Sequence, residues 1–172
     1  MVVLITGETH TGKTALAGRL VRRHGFFCLS ADHLKMGLIR SGNTSLTPLS
    51  PDEELTAYLW PIQREMIKTA IENRQDVIVE GCYIPFDWQK DFSEEYLRDI
   101  RFCCLVMSER YIRENFETIR AHASDAEQRL DDSGLNAEDL VAGNARYLEG
   151  CAQNNLPYIL IDGEYRVDFE IK

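Results

Sequence analysis

At 172 residues the chain has the size of a single domain with room for a buried sheet, and 44% hydrophobic with 27% charged residues excludes a disordered or low-complexity polymer. The 28 Asp and Glu outnumber 19 Lys and Arg, and the net charge of -9 works against nucleic acid or an anionic membrane as partner. No apolar run approaches a bilayer span and Val2 to Ile5 is too short for a signal-peptide core, so a cytoplasmic protein is expected. Cys28, Cys82, Cys103, Cys104 and Cys151 form no C-x-x-C pair and no Cys/His ligand spacing, and read as buried thiols in a reducing compartment.

In chain order, Val2–Ile5 has the length and composition of a strand, and a helix follows from Lys13 to His24, with Leu16 and Leu20 on one face and Gly25 as its stop. Phe26–Leu29 predicts a second strand and His33–Ile39 a short helix; Ser41 to Pro51, rich in Gly, Asn, Ser, Thr and Pro, is a loop. From Asp52 to Asn73, Leu55, Leu59, Ile62, Met66 and Ala70 fall at helical spacing, with Pro61 expected to kink or divide the helix. Strands follow at Val77–Val79, Ile100–Met107 and Tyr158–Ile161. The first and last of these are continuously apolar, as central strands covered on both faces are. Between them Ser108 caps a helix carrying Ile112, Phe116 and Ile119 inward, Ala121 to Gly134 is a polar loop, and Asn136 caps a helix carrying Leu140, Tyr147, Leu148 and Cys151. This alternation predicts an α/β fold with a mostly parallel sheet.

The segment Gly7-Glu8-Thr9-His10-Thr11-Gly12-Lys13-Thr14 fits G-x-x-x-x-G-K-[ST], directly after one strand and directly before a helix. Such glycines let backbone N–H groups curl around phosphates and the helix start adds positive potential. Lys13 reaches the terminal phosphates and the Thr14 hydroxyl ligates Mg²⁺. The expected ligand is a nucleoside triphosphate with Mg²⁺.

In an open α/β sheet, ligands bind beyond the carboxyl ends of the strands. Three acidic residues stand there: Asp32 after the second strand, Glu80 at the end of the third and Asp162 after the fifth. Asp32 is placed to take a proton from an acceptor hydroxyl attacking the γ-phosphate; it also suits a helix cap. Glu80 ends a wholly apolar strand and needs a cation, for which Mg²⁺ is the natural candidate. Asp162-Gly163 is assigned to the edge of a base pocket.

On the helix after the fourth strand, Arg110, Arg113 and Arg120 form one stripe, separate from the apolar face. Arginines so aligned neutralise charge on a transferring phosphoryl group; Glu117 lies in the same stripe and equally suits a solvated helix laced by ion pairs. Arg129, in the polar loop beyond, is a candidate to close over nucleotide. Arg40, near the acceptor side, suits an anionic acceptor or a plain surface position.

The cradle, the acidic residue after the second strand, the V-I-V-E-G segment Val77–Gly81 and the basic helix after the fourth strand together resemble the small P-loop kinases. These include the adenylate, shikimate and gluconate kinases, chloramphenicol phosphotransferase, zeta toxin and 2-phosphoglycerate kinase, the last two and the chloramphenicol enzyme being nearest in pattern. The resemblance implies a P-loop three-layer α/β/α sandwich over the whole chain, 1–172, with a five-stranded parallel sheet, the cradle strand at its centre, a helical lid at 109–134 and an acceptor-binding segment at 33–75. It implies ATP and Mg²⁺ as cofactors, a small-molecule acceptor, phosphate binding by Lys13 and Thr14, and Asp32 and Glu80 at matching acidic positions. Ser30 replaces the first acid of the D-x-D run of shikimate and gluconate kinases. Glu80-Gly81-Cys82-Tyr83-Ile84-Pro85 lacks the arginine of the adenylate kinase run, which disfavours a nucleoside monophosphate acceptor. The expected activity is phosphorylation of a small-molecule hydroxyl; the alternative is an NTP-binding regulatory module or NTPase.

Overall fold

The computed structural model describes residues 1–122 and 134–171. Strands and helices alternate as β1 (Val2–Gly7), α1 (Lys13–His24), β2 (Phe27–Ser30), α2 (Ala31–Arg40), α3 (Asp52–Glu72), β3 (Val77–Glu80), α4 (Glu94–Arg98), β4 (Ile100–Met107), α5 (Glu109–Ala121), α6 (Ala137–Gln153) and β5 (Tyr158–Ile161). All strand pairs are parallel, in the order β2-β3-β1-β4-β5, which places the cradle strand at the centre.

β1 is buried along its whole length, and its alternating side chains feed two cores. Val2 and Leu4 pack with Trp60, Trp88, Phe102 and Tyr147 on the α3 and α6 face; Val3 and Ile5 pack with Leu16, Ala17 and Leu20 of α1 on the other. Each fully buried aliphatic side chain contributes about 1.5–3 kcal/mol, so the three-layer order is anchored at β1, whose end carries the cradle.

Several local expectations are corrected. The 21-residue α3 is not divided at Pro61. Pro61 and Ala57 are both exposed, so the gap in the hydrogen-bond ladder falls on the solvent side of the helix. The buried face of α3 continues through Gln63, Ile67 and Ala70, leaving Met66 39% exposed. β5 is an edge strand: Ile161 is buried and Ile159 joins the α1 core, while Tyr158 and Leu160 are 43% and 47% exposed. The alternation of a one-sided strand was hidden because its outer positions are also apolar. Cys103, Cys104 and Cys151 are buried thiols, but Cys28 and Cys82 are only partly so. Among the described residues no helix is long and apolar enough to cross a membrane.

The caps of α5 and α6 are as expected. Ser108 accepts from the Tyr111 N–H and Asn136 from the Asp139 N–H. Most of the Ala121 to Gly134 loop, with Arg129, lies outside the described residues.

Candidate active site

The cradle emerges from the end of β1, where Gly7 is still paired with Leu105 of β4. The Glu8 carbonyl is the hub of the turn: it accepts from the Thr11 hydroxyl at 2.7 Å and from Lys13 Nζ at 2.8 Å. Gly12 then opens α1 in the left-handed region, φ 86°, and no side chain caps the helix. The first N–H groups of α1 have no partner within the helix, the arrangement that suits a helix start to anions.

Lys13 is 7% exposed. Burial opposes its charge, but Cys82, Glu80 and Glu8 around it outweigh that penalty and hold its pKa above the ordinary lysine value. Glu80 ends β3 at 2% exposure, and the Thr14 hydroxyl donates to it at 3.3 Å. A buried carboxylate and a hydroxyl, both hard oxygen ligands, fit Mg²⁺ that takes its remaining ligands from phosphate and water. Gly81, at φ 153°, lets α2 start beside β3, since a Cβ there would lie 2.4 Å from that of Ala31.

α2 begins at Ala31, which puts Asp32 in its first turn; the cap position is Ser30, so the capping role proposed for Asp32 does not hold. Asp32 instead accepts from Lys35 Nζ at 2.5 Å, and the same ammonium donates to the Tyr83 hydroxyl at 2.8 Å. Burial works against the Lys35 charge, yet these two bonds raise its pKa to about 12; burial also pushes Tyr83 up to about 12. Lys35 escaped the sequence reading, although its position three residues after Asp32 on a predicted helix was a usable signal.

Arg146 of α6 was also missed. Its guanidinium lies 3.6 Å from Glu8 and 3.9 Å from Asp52, between the cradle and the start of α3. α6 comes this close because residue 143 is glycine, where a Cβ would lie 2.1 Å from Glu8 Oε2. No local pattern announces such a contact.

The arginine stripe of α5 is laced by ion pairs. Arg110 binds Asp162 at 2.9 Å, Arg113 clasps Glu109 and Glu138, and Arg120 binds Glu117. Arg110 thereby stands beside the Asp162-Gly163 turn, whereas the partners of Arg113 and Arg120 are surface carboxylates and not cradle residues.

The sequence matches no family model and no curated protein. Among solved structures, shikimate kinase from Bacteroides thetaiotaomicron is 17% identical, with a TM-score of 0.53 over 94% of this chain and 86% of that one. Deoxyadenosine kinase from M. mycoides is 14% identical, with a TM-score of 0.53 over 98% of this chain and 92% of that one. At such identities the likeness establishes architecture, and the parallel order β2-β3-β1-β4-β5 with the cradle at the end of β1 gives this chain the fold of the small P-loop kinases.

Proposed function

We propose that the protein is a cytoplasmic kinase that transfers the γ-phosphate of ATP, with Mg²⁺, to a hydroxyl of a small molecule. The observation that carries this reading is the convergence of Lys13, Thr14 and buried Glu80 at the cradle, with the Asp32–Lys35 pair at the neighbouring strand end.

ATP with Mg²⁺ supplies the phosphoryl group. Residues Gly7, Glu8, Thr9, His10, Thr11 and Gly12 offer main-chain groups to the phosphates, Lys13 neutralises their charge, and Thr14 with Glu80 holds the metal. Asp32 takes the proton of the acceptor hydroxyl, and Lys35 holds its carboxylate in place. Arg110, beside the Asp162-Gly163 turn, serves the nucleotide. Segment 33–75 forms the acceptor side, with Arg146 at its mouth, and 109–134 acts as a lid whose Arg113 and Arg120 exchange surface partners for phosphate on closure. The shikimate and deoxyadenosine kinases that share the fold support a small-molecule acceptor, and the acidic surface supports a substrate other than nucleic acid.

The test is calorimetric titration of ATP and Mg²⁺ into the wild type and Lys13→Ala, followed by a metabolite phosphorylation screen. Affinity is expected to collapse in the variant with its fold intact, and phosphorylated product to form only with the wild type. Equal affinity of the two proteins removes the nucleotide site, and steady hydrolysis without any acceptor reassigns the protein as an NTPase.

A further inference from the structure

The segment after β5 runs over α1 with a period-two pattern. Val167, Phe169 and Ile171 pack onto the core formed with Leu16 and Leu20, while Arg166, Asp168 and Glu170 are exposed. Arg19 of α1 donates to the Val167 carbonyl at 3.0 Å, so the strap is fastened by main chain as well as by apolar contact. At its head the Tyr165 hydroxyl donates to the Thr11 carbonyl at 3.1 Å. It lies against Gly12 so closely that a Cβ there would be 1.9 Å from the Tyr165 oxygen.

A trans peptide carries its C=O and N–H on opposite sides. Holding the Thr11 carbonyl toward Tyr165 therefore turns the Gly12 N–H the other way. Burial pushes the Tyr165 pKa above the ordinary tyrosine value, so the hydroxyl, protonated at neutral pH as any tyrosine is, remains a donor.

We propose that Tyr165 is a positioning residue of the cradle: it pins the Thr11–Gly12 peptide from outside and so directs the Gly12 N–H toward bound phosphate. The proposal rests on the reading of the cradle as a nucleotide site. It also assigns a reason for glycine at position 12 in this chain, since a tyrosine of the strap, in addition to the ligand, needs the space.

The experiment compares wild type, Tyr165→Phe, Val167→Ala and Lys13→Ala by calorimetric titration with ADP and Mg²⁺, by thermal unfolding and by amide spectra of Gly12 and Lys13. Tyr165→Phe keeps the ring on Gly12 and removes one hydrogen bond. It should weaken ADP binding about five-fold, the scale of one net hydrogen bond, and shift the Gly12 amide with little change in melting temperature. Val167→Ala, which thins the strap without touching Thr11, should lower the melting temperature and leave affinity nearly unchanged. Wild-type affinity in Tyr165→Phe beside lost binding in Lys13→Ala overturns the proposal alone, as does an affinity loss that merely tracks melting temperature across Tyr165→Phe and Val167→Ala. Undiminished binding in Lys13→Ala overturns the nucleotide site and this proposal together.

Discussion

The Thr14 hydroxyl donates to the Glu80 carboxylate at 3.3 Å, joining the first turn of α1 to the end of β3. The contact spans 66 residues of sequence and exists because β1 and β3 pair in parallel with Ile5 opposite Glu80. Under the proposed function these two oxygen groups, beside a lysine, would hold the divalent cation.

Glu80→Gln keeps the size of the side chain and removes its charge. Nucleotide binding measured in EDTA should persist, while the gain in affinity on adding Mg²⁺ should shrink by about ten-fold or more. Because Glu80 also helps to offset the buried charge of Lys13, the ratio of affinities with and without Mg²⁺ is the proper readout. An unchanged ratio would move the metal away from Glu80.

The Asp162 carboxylate accepts from the Ser108 hydroxyl at 2.7 Å and from Arg110 Nε at 3.1 Å, and these bonds lower its pKa below the ordinary aspartate value. A carboxyl whose pKa falls on folding stabilises the native state above its unfolded value, and this contribution is lost as pH falls through the lowered folded value. Asp162→Asn should therefore lower the melting temperature at neutral pH, and the difference from wild type should vanish in acid. A gap of constant size from pH 7 to below pH 3 would assign the effect to packing.

The cradle was legible because its spacing is fixed and its setting, strand before and helix after, can be read locally. Glu80 was legible because a carboxylate ending an apolar strand demands a partner. Arg146 was not, since its place depends on α6 crossing the sheet and on Gly143 admitting Glu8. The α5 stripe shows the opposite limit: periodicity named the shared face of Arg110, Arg113 and Arg120, but could not choose between phosphate and the carboxylates they meet. The strap carried its own signal in the alternation from Val167 to Ile171, obscured by its lack of regular strand pairing.

If 109–134 closes over nucleotide, Arg113 and Arg120 must leave Glu138 and Glu117. Amide exchange measured with and without an ATP analogue and Mg²⁺ should slow in 109–134 more than in β1 and β4, whose amides are already protected in the sheet. Glu138→Gln, which releases one competitor for Arg113, should enhance that slowing. Identical exchange across 109–134 in the free and saturated protein would leave the stripe as a solvated, ion-paired helix.

The acceptor side is tested at Asp32, whose carboxylate is held by Lys35 while Tyr83 accepts a second bond from the same ammonium. A protein that mainly positions groups for phosphoryl transfer gains from a carboxylate held still beside the acceptor. Asp32→Asn preserves shape and a hydrogen-bond acceptor for Lys35, and Ser30 rather than Asp32 occupies the cap position of α2, so the helix should survive. Affinity for ATP should stay close to wild type, and phosphorylation of the acceptor found by screening should fall by about 10²-fold or more, the scale for losing a general base. Lys35→Arg should retain most activity, because a guanidinium can still hold Asp32, whereas Lys35→Met should lose about ten-fold through a carboxylate no longer fixed in direction. Full turnover in Asp32→Asn would remove the general base from this position. Normal turnover in Lys35→Met, with Asp32→Asn inactive, would show that Asp32 works without its lysine, and the half-buried bond to Tyr83 would then be structural.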